Sequence, residues 1–159
     1  MKKINVKSLI VCLVLPLAVG GLAALLTANS MSVFESVKKP PLSPPGILFP
    51  IVWTVLYILM GIASYLVLHA NHGDVTGALK LYGWQLAVNF LWPLLFFNFQ
   101  WYFVAFIWLM LLWALVLWTT VRFWKITPAA GALMLPYLLW VTFAAYLNFG
   151  IYWLNRTAL

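Results

Sequence analysis

The stretch from Ile47 to His69, ILFPIVWTVLYILMGIASYLVLH, decides the fold, because it is almost wholly apolar and contains no Asp, Glu, Lys or Arg. An α-helix rises about 1.5 Å per residue, so about 20 apolar residues cross the hydrocarbon core of a bilayer. Lipid offers no partner for an unpaired backbone amide, whereas a helix satisfies its own amides. The stretch therefore predicts a membrane-spanning helix.

Four further apolar runs share this pattern, and the predicted helices cover about residues 8–27, 47–69, 79–97, 102–124 and 129–155. Hydrophobic residues make up 66% of the chain and charged residues 7%, against roughly 45–50% and 25% in soluble domains. We expect an all-α membrane protein with one domain over residues 1–159, a single bundle of five transmembrane helices. The short connections predict that consecutive helices pack as antiparallel neighbours.

Residues 29–45 are predicted to form a long loop between the first two helices. The segment turns polar and then proline-rich, and it ends with KKPPLSPPG at residues 38–46. Successive prolines lack backbone donors and restrict the residues that precede them. The loop is therefore expected to be stiff.

Basic residues lie at the predicted helix ends and not on one face, so the net charge of +7 does not indicate a nucleic-acid partner. Lys and Arg favour the cytoplasmic side of a membrane. With five crossings, the side of the membrane that holds the N-terminus carries the larger group of basic residues: Lys2, Lys3, Lys7, Lys80, Arg122 and Lys125. The other side carries the smaller group, Lys38, Lys39 and Arg156. The N-terminus is therefore predicted to be cytoplasmic, and the bilayer is an expected partner.

Few residues are available for catalysis or metal binding. Glu35 and Asp74 are the two acidic residues in the sequence, which excludes paired-carboxylate hydrolysis and acidic Mg²⁺ sites. Cys12 has no cysteine partner for a disulfide within the chain. His69 and His72 lie near Asp74, but closed zinc sites need four ligands, so no metal site is predicted. Nucleophile motifs are absent from the sequence, and nothing in these residues demands an enzyme.

Polar and aromatic residues fall on one face of three predicted helices, because residues three or four apart project from the same side of a helix. The stripes are Trp53, Tyr57, Met60 and Ser64 on the second helix; Gln85, Asn89, Trp92 and Phe96 on the third; and Tyr137, Trp140, Ala144 and Asn148 on the fifth. This pattern suits a large, flat, mostly apolar ligand with a few polar groups. Polar residues in membrane helices also pair with one another, and spacing alone favours neither interpretation.

Four segments resemble the translocator protein family, also known as tryptophan-rich sensory proteins and peripheral-type benzodiazepine receptors. They are KPPLSPP at 39–45, VWTVLYILMG at 52–61, QLAVNFLWP at 85–93 and PYLLWVTF at 136–143. The motifs cover the second to fifth predicted helices in the order and spacing of the family. The short chain with its N-terminal MKK resembles a bacterial member, for which the cell membrane is the expected location.

The resemblance implies a homodimeric five-helix bundle whose pocket binds porphyrins, such as protoporphyrin IX and haem, under a lid, the loop of residues 29–45 between the first two helices. No cofactor is required, since the porphyrin is the ligand. The residues matched to the family's pocket are Trp53, Tyr57, Asn89, Trp92, Trp140, Phe143 and Ala144. Pro44 and Pro45 would brace the lid, and Leu42 stands where many members carry tryptophan, which removes one lid contact to the ligand.

Three functions follow from the resemblance. The first is a receptor or sensor for porphyrins. The second is a transporter of porphyrin or sterol, and the third is light- or oxygen-dependent porphyrin degradation with Trp53 and Trp140 as the oxidisable indoles. Leu147, Tyr152 and Arg156 also match a weak cholesterol-contact pattern, but anchoring at the membrane surface is the favoured explanation for an aromatic residue followed by a cation at a helix end.

Overall fold

The computed structural model describes residues 3–158, so Lys2, which the charge pattern assigns to the N-terminal side, lies outside the described residues. Within that range the chain is helical with connecting turns. The helices are α1 (Val6–Thr27), α2 (Met31–Ser36), α3 (Leu48–Leu68), α4 (Val75–Pro93), α5 (Tyr102–Ile126) and α6 (Pro128–Asn155). Five of them are long and α2 is a short segment. The predicted all-α bundle of five long helices is confirmed.

Four segments of the described chain are long and apolar enough to cross a membrane: Val6–Ser36, Leu48–Leu68, Tyr102–Ile126 and Pro128–Asn155. Helix α4 is less apolar because it carries Lys80 near its start and Gln85 and Asn89 in its middle. Both amide side chains are buried, so they face the interior of the bundle and not lipid. The lower hydropathy of α4 therefore reflects a polar inner face.

The long helices form a ring in which α1 packs on α3, α3 on α6, α6 on α5, α5 on α4, and α4 on α1. Consecutive long helices pack on each other as expected, but α3 and α4 do so least: α3 packs mainly on α1 and α6, and α4 mainly on α5. Long side chains reach across instead: Tyr57 of α3 bonds to Asn89 of α4. Both side chains are buried, so this hydrogen bond satisfies polar groups that water does not reach.

Helix α1 approaches α3 closely because glycine lies at their contact. A Cβ on Gly61 would stand 2.7 Å from the carbonyl oxygen of Cys12 and 2.9 Å from the Cα of Leu13. Both atoms belong to the α1 backbone and cannot move aside without shifting the helix. Small residues permit such backbone contact between membrane helices.

The connection between α1 and α3 begins as helix, so the prediction of a loop from residue 29 is wrong. A 3₁₀ turn, Ala28–Ser30, leads from α1 into α2. Phe34 of α2 is buried against three rings, those of Phe49, Phe96 and Phe97, with centroids 5.3–6.0 Å away. Burial of this aromatic side chain stabilises the helical turns of α2, although the polar residues around Phe34 had indicated a loop.

Helix α4 begins four residues before the predicted boundary at 79, and it ends at Pro93 and not at the predicted residue 97. It starts at Val75 because the Asp74 side chain caps it, accepting a hydrogen bond from the Gly77 amide at 2.9 Å. Pro93 has no N–H to donate, and the chain continues as a π-helical turn, Leu94–Asn98. The remaining helices begin and end within about two residues of the predicted positions.

Replacing Gly61 by alanine is expected to destabilise the fold by about 1–3 kcal/mol, because the added methyl group overlaps the α1 backbone. The measurement is the thermal midpoint of detergent-solubilised protein. Gly21→Ala is the matched control, since nothing lies within 4 Å of a Cβ there. Equal midpoints for the two variants would contradict the close contact between α1 and α3.

Asp74 gives the fold an expected dependence on pH. Its hydrogen bond from the Gly77 amide, together with the Arg122 guanidinium that pairs with it, lowers the pKa of the carboxyl group below its usual value. A lowered pKa contributes stability above the unfolded value, and this contribution is lost as pH falls through the folded value. The thermal midpoint of wild type should therefore fall more than that of Asp74→Asn between about pH 6 and about pH 3. Asparagine keeps the helix cap, so an identical fall in both proteins would exclude the carboxylate as the cause.

Candidate functional site

A chain of hydrogen bonds joins α3, α4 and α6 in the middle of the bundle. Tyr57 Oη donates to Asn89 Oδ1 at 2.7 Å, and Asn89 Nδ2 donates to Tyr137 Oη at 2.6 Å. Tyr137 Oη in turn donates to Gln85 Oε1 at 2.7 Å. All four side chains are buried. Mutual pairing, one of the two interpretations left open by the sequence, therefore describes this level of the bundle.

Trp92 is fixed by a second chain of hydrogen bonds nearer the lid. Its indole N–H donates to Asn148 Oδ1 at 3.0 Å, and Asn148 Nδ2 donates to the carbonyl oxygen of Tyr102 at 2.8 Å. The Trp92 ring also stacks on Phe96 with centroids 5.2 Å apart. The orientation of this indole is thus set by α5 and α6 together.

A small cavity, enclosed for the larger part, lies beside Trp92, between the lid, α3, α4 with its π-helical turn, and α6. Its volume is about 20 Å³, and it is lined by Phe34, Ser43, Pro44, Phe49, Trp92, Phe96, Phe97, Ala144, Leu147, Asn148 and Ile151. A single water molecule needs about 10–15 Å³ measured in this way. The cavity therefore offers a space of roughly one water molecule.

The lid is fastened to α6 by side-chain hydrogen bonds. Tyr146 Oη donates to the carbonyl oxygen of Pro41 at 2.8 Å. The Asn155 amide accepts from the Lys38 N–H at 3.1 Å and donates to the Lys38 carbonyl oxygen at 2.8 Å. Of the predicted lid residues, Pro44 lines the cavity, whereas Leu42 and Pro45 are exposed. Leu42 has a φ of 67°, a backbone conformation that costs energy for a residue with a side chain.

Trp53 and Trp140 occupy different surroundings. Trp53 stacks on Tyr57 at 5.5 Å and lies edge-on to Tyr137 at 6.1 Å. Trp140 lies edge-on to Phe49 at 5.9 Å and 5.5 Å from Phe143. These two indoles therefore belong to the aromatic packing next to the cavity.

The indole N–H of Trp140 is buried and has no hydrogen-bond partner within residues 3–158. Other inner indoles have acceptors: Trp108 donates to the carbonyl oxygen of Val88 at 2.8 Å, and Trp113 donates to Thr142 Oγ1 at 2.8 Å. A buried donor without a partner costs about 1–3 kcal/mol. Trp140 therefore presents a donor that an acceptor atom on a ligand would stabilise.

A groove of about 520 Å³ opens on the side of the bundle between α3 and α6. It is lined by Ile51, Val52, Val55, Leu56, Pro136, Leu139, Trp140 and Phe143. Pockets for drug-sized ligands occupy about 300–1,000 Å³. Phe49 lines the enclosed cavity and Trp140 lines the groove, and their ring centroids are 5.9 Å apart, so the two spaces adjoin at these rings.

The residues matched by resemblance are thus divided among three places. Trp92 and Ala144 line the enclosed cavity, Trp140 and Phe143 line the open groove, and Trp53, Tyr57 and Asn89 pack beside them. Their contacts with a ligand stay predictions.

The sequence reasoning missed several residues that line the enclosed cavity: Phe34, Ser43, Phe49, Phe97 and Ile151. Helical spacing was a usable signal for two of them, since Phe49 precedes Trp53 by one turn and Ile151 follows Asn148 by one turn. Phe34 gave no such signal, because its segment was assigned to a loop.

The residues of the cholesterol-contact pattern do not form one exposed face. Leu147 is buried and lines the cavity, Tyr152 is half-buried, and Arg156 is exposed with its guanidinium 3.4 Å from the Trp153 ring centroid. For metals, residues 3–158 contain no cluster of three or more His, Cys, Asp or Glu side chains.

Comparison with known proteins identifies the family. The model of the TspO/MBR family matches residues 12–154. The chain is 37% identical to the tryptophan-rich protein TspO of Chlorobaculum tepidum over 95% of this chain and 98% of that protein. It is 40% identical to protein CrtK of Rhodobacter capsulatus over 77% and 78%, and 35% identical to the human translocator protein over 75% and 72%. The chain is an integral membrane protein and belongs to the TspO/MBR family.

Proposed function

We propose that the protein is a membrane receptor that binds porphyrins, such as protoporphyrin IX and haem, beneath the lid and against α3 and α6. The observation that carries the proposal is the buried Trp140 indole N–H without an acceptor, at the boundary between the enclosed cavity and the groove. A flat ring with a few acceptor atoms would stack on the surrounding aromatic side chains and accept this hydrogen bond. Membership of the TspO/MBR family supports the same ligand class.

Binding of a ligand of this size requires the protein to rearrange, since the enclosed volume is about 20 Å³. Two changes would enlarge it. The lid would lift by releasing the hydrogen bonds of Tyr146 and Asn155, or the Phe49 and Trp140 rings would turn and join the cavity to the groove. Either change leaves the deeper Tyr57–Asn89 hydrogen bond in place.

Transport and photo-oxidation both begin with the same binding step. A porphyrin seated against Trp140 would lie beside an oxidisable indole, and a ligand entering through the groove would come from the bilayer. Both remain predictions, as does the homodimer, for which the mass of the purified protein in detergent is the direct measurement.

We further propose that the protein lies in a bacterial cell membrane with its N-terminus in the cytoplasm. Lys7, Lys80, Arg122 and Lys125 lie towards the N-terminal end of the bundle, whereas Lys38, Lys39 and Arg156 lie towards the lid. The greater number of cations on the N-terminal side supports this orientation.

Protoporphyrin IX should quench the tryptophan fluorescence of the purified protein saturably. Trp140→Phe keeps an aromatic ring but removes the N–H donor, so the affinity should fall about three- to tenfold, the size of one hydrogen bond. Trp84→Phe is the control, because Trp84 is 70% exposed and lines neither the cavity nor the groove. Quenching that does not saturate in wild type would refute the proposal.

Single cysteines will report the orientation. In a Cys12→Ala background, Thr157→Cys lies beyond α6 and His72→Cys lies between α3 and α4, and both positions are exposed. A membrane-impermeant maleimide should label the Thr157→Cys protein in intact spheroplasts, and the His72→Cys protein after permeabilisation alone. The reverse pattern would place the N-terminus outside.

A further inference from the structure

The lid carries a cation next to the wall of the enclosed cavity. Lys39 Nζ lies 4.8 Å from the centroid of the Phe34 ring, and Phe34 lines the cavity. The same nitrogen donates to the carbonyl oxygens of Glu35 at 3.1 Å and Val37 at 3.4 Å. Lys39 is half-buried, so backbone carbonyl groups and an aromatic face hold its ammonium group in position.

This ammonium group has no carboxylate partner among residues 3–158. The ion pair found in that range, Asp74 with Arg122, lies at the opposite end of the bundle. Glu35 contributes its backbone oxygen and not its carboxylate to Lys39. A half-buried cation held by neutral oxygens can gain a charge-assisted hydrogen bond when an anion arrives.

We infer that Lys39 recognises a carboxylate group on the ligand and thereby selects carboxylic porphyrins over uncharged analogues. The inference rests on the proposed function. Protoporphyrin IX and haem carry two propionate groups on one edge of an otherwise apolar ring. With the ring under the lid beside Phe34, a propionate on that edge would come within reach of the Lys39 ammonium group, which lies 4.8 Å from the Phe34 ring centroid.

The other cations on this side are less suited to that task. Lys38 is exposed, and its backbone is tied to the Asn155 side chain. Arg156 is exposed and its guanidinium lies over the Trp153 ring. Ion pairs between exposed side chains contribute little because water screens them. Lys38 and Arg156 would attract anions to the lid in general, and Lys39 would discriminate between ligands.

The test compares protoporphyrin IX with its dimethyl ester, which keeps the ring and removes both negative charges. Affinities are measured by tryptophan quenching on the full-length protein in detergent. Wild type should bind the acid about tenfold more tightly than the ester, the size of a charge-assisted hydrogen bond. Lys39→Met should weaken binding of the acid by about the same factor and leave the ester unchanged. Lys38→Met, the matched control next to it, should leave both affinities near wild type.

Each outcome decides between the two proposals. If wild type binds neither porphyrin, the proposed function fails. If it binds acid and ester equally, or if Lys39→Met weakens both equally, porphyrin binding stands and the role of Lys39 is overturned. Lys39→Arg keeps the charge and should retain the preference for the acid, which provides a folded variant if the methionine substitution lowers the thermal midpoint.

Discussion

Hydrogen-bonding groups inside a bilayer must find partners within the protein, and the arrangement of the bundle depends on this constraint. Gln85 and Asn89 make α4 too polar to face lipid, and they reach Tyr57 and Tyr137 on the helices opposite. The ring order of the helices follows, since α4 must turn its amides inward. The apolar α1 then fills the gap between α3 and α4 and leaves much of its own surface to lipid.

The candidate site lies where this constraint is relaxed. At the level of Asn89 each amide and hydroxyl group has a partner, and that level holds the helices together. One turn or two nearer the lid, the Trp140 N–H has no acceptor, and a closed cavity and an open groove meet at the Phe49–Trp140 contact. Packing there is formed by aromatic rings, which tolerate rotation better than a hydrogen-bonded chain does. This physical division supports the proposal that the hydrogen-bonded level maintains the structure and the aromatic level binds the ligand.

The sequence predicted the parts of this fold that depend on long apolar runs and helical spacing. The five long helices and the inward stripes of Trp53, Asn89 and Tyr137 follow from those two signals. The sequence did not predict α2, because Phe34 is apolar in a polar segment and its burial depends on rings far away in the chain. It also did not predict that α3 and α4 pack less on each other than on their other neighbours, since short connections alone do not specify how far two helices share a surface. The closed state of the cavity depends on side-chain rotations, which a pattern of residue types does not encode.

Leu42, in the lid, has a left-handed backbone conformation with a φ of 67°. A left-handed conformation costs about 1–2 kcal/mol for a residue with a Cβ, and glycine would adopt it without that cost. The closed conformation of the lid is therefore less stable with leucine at position 42 than it would be with glycine. If opening lets the residue relax, this difference multiplies the population of open molecules by about five- to thirtyfold. With leucine in the lid, the protein would then interconvert more often between open and closed conformations. A ligand would bind faster and would also dissociate sooner.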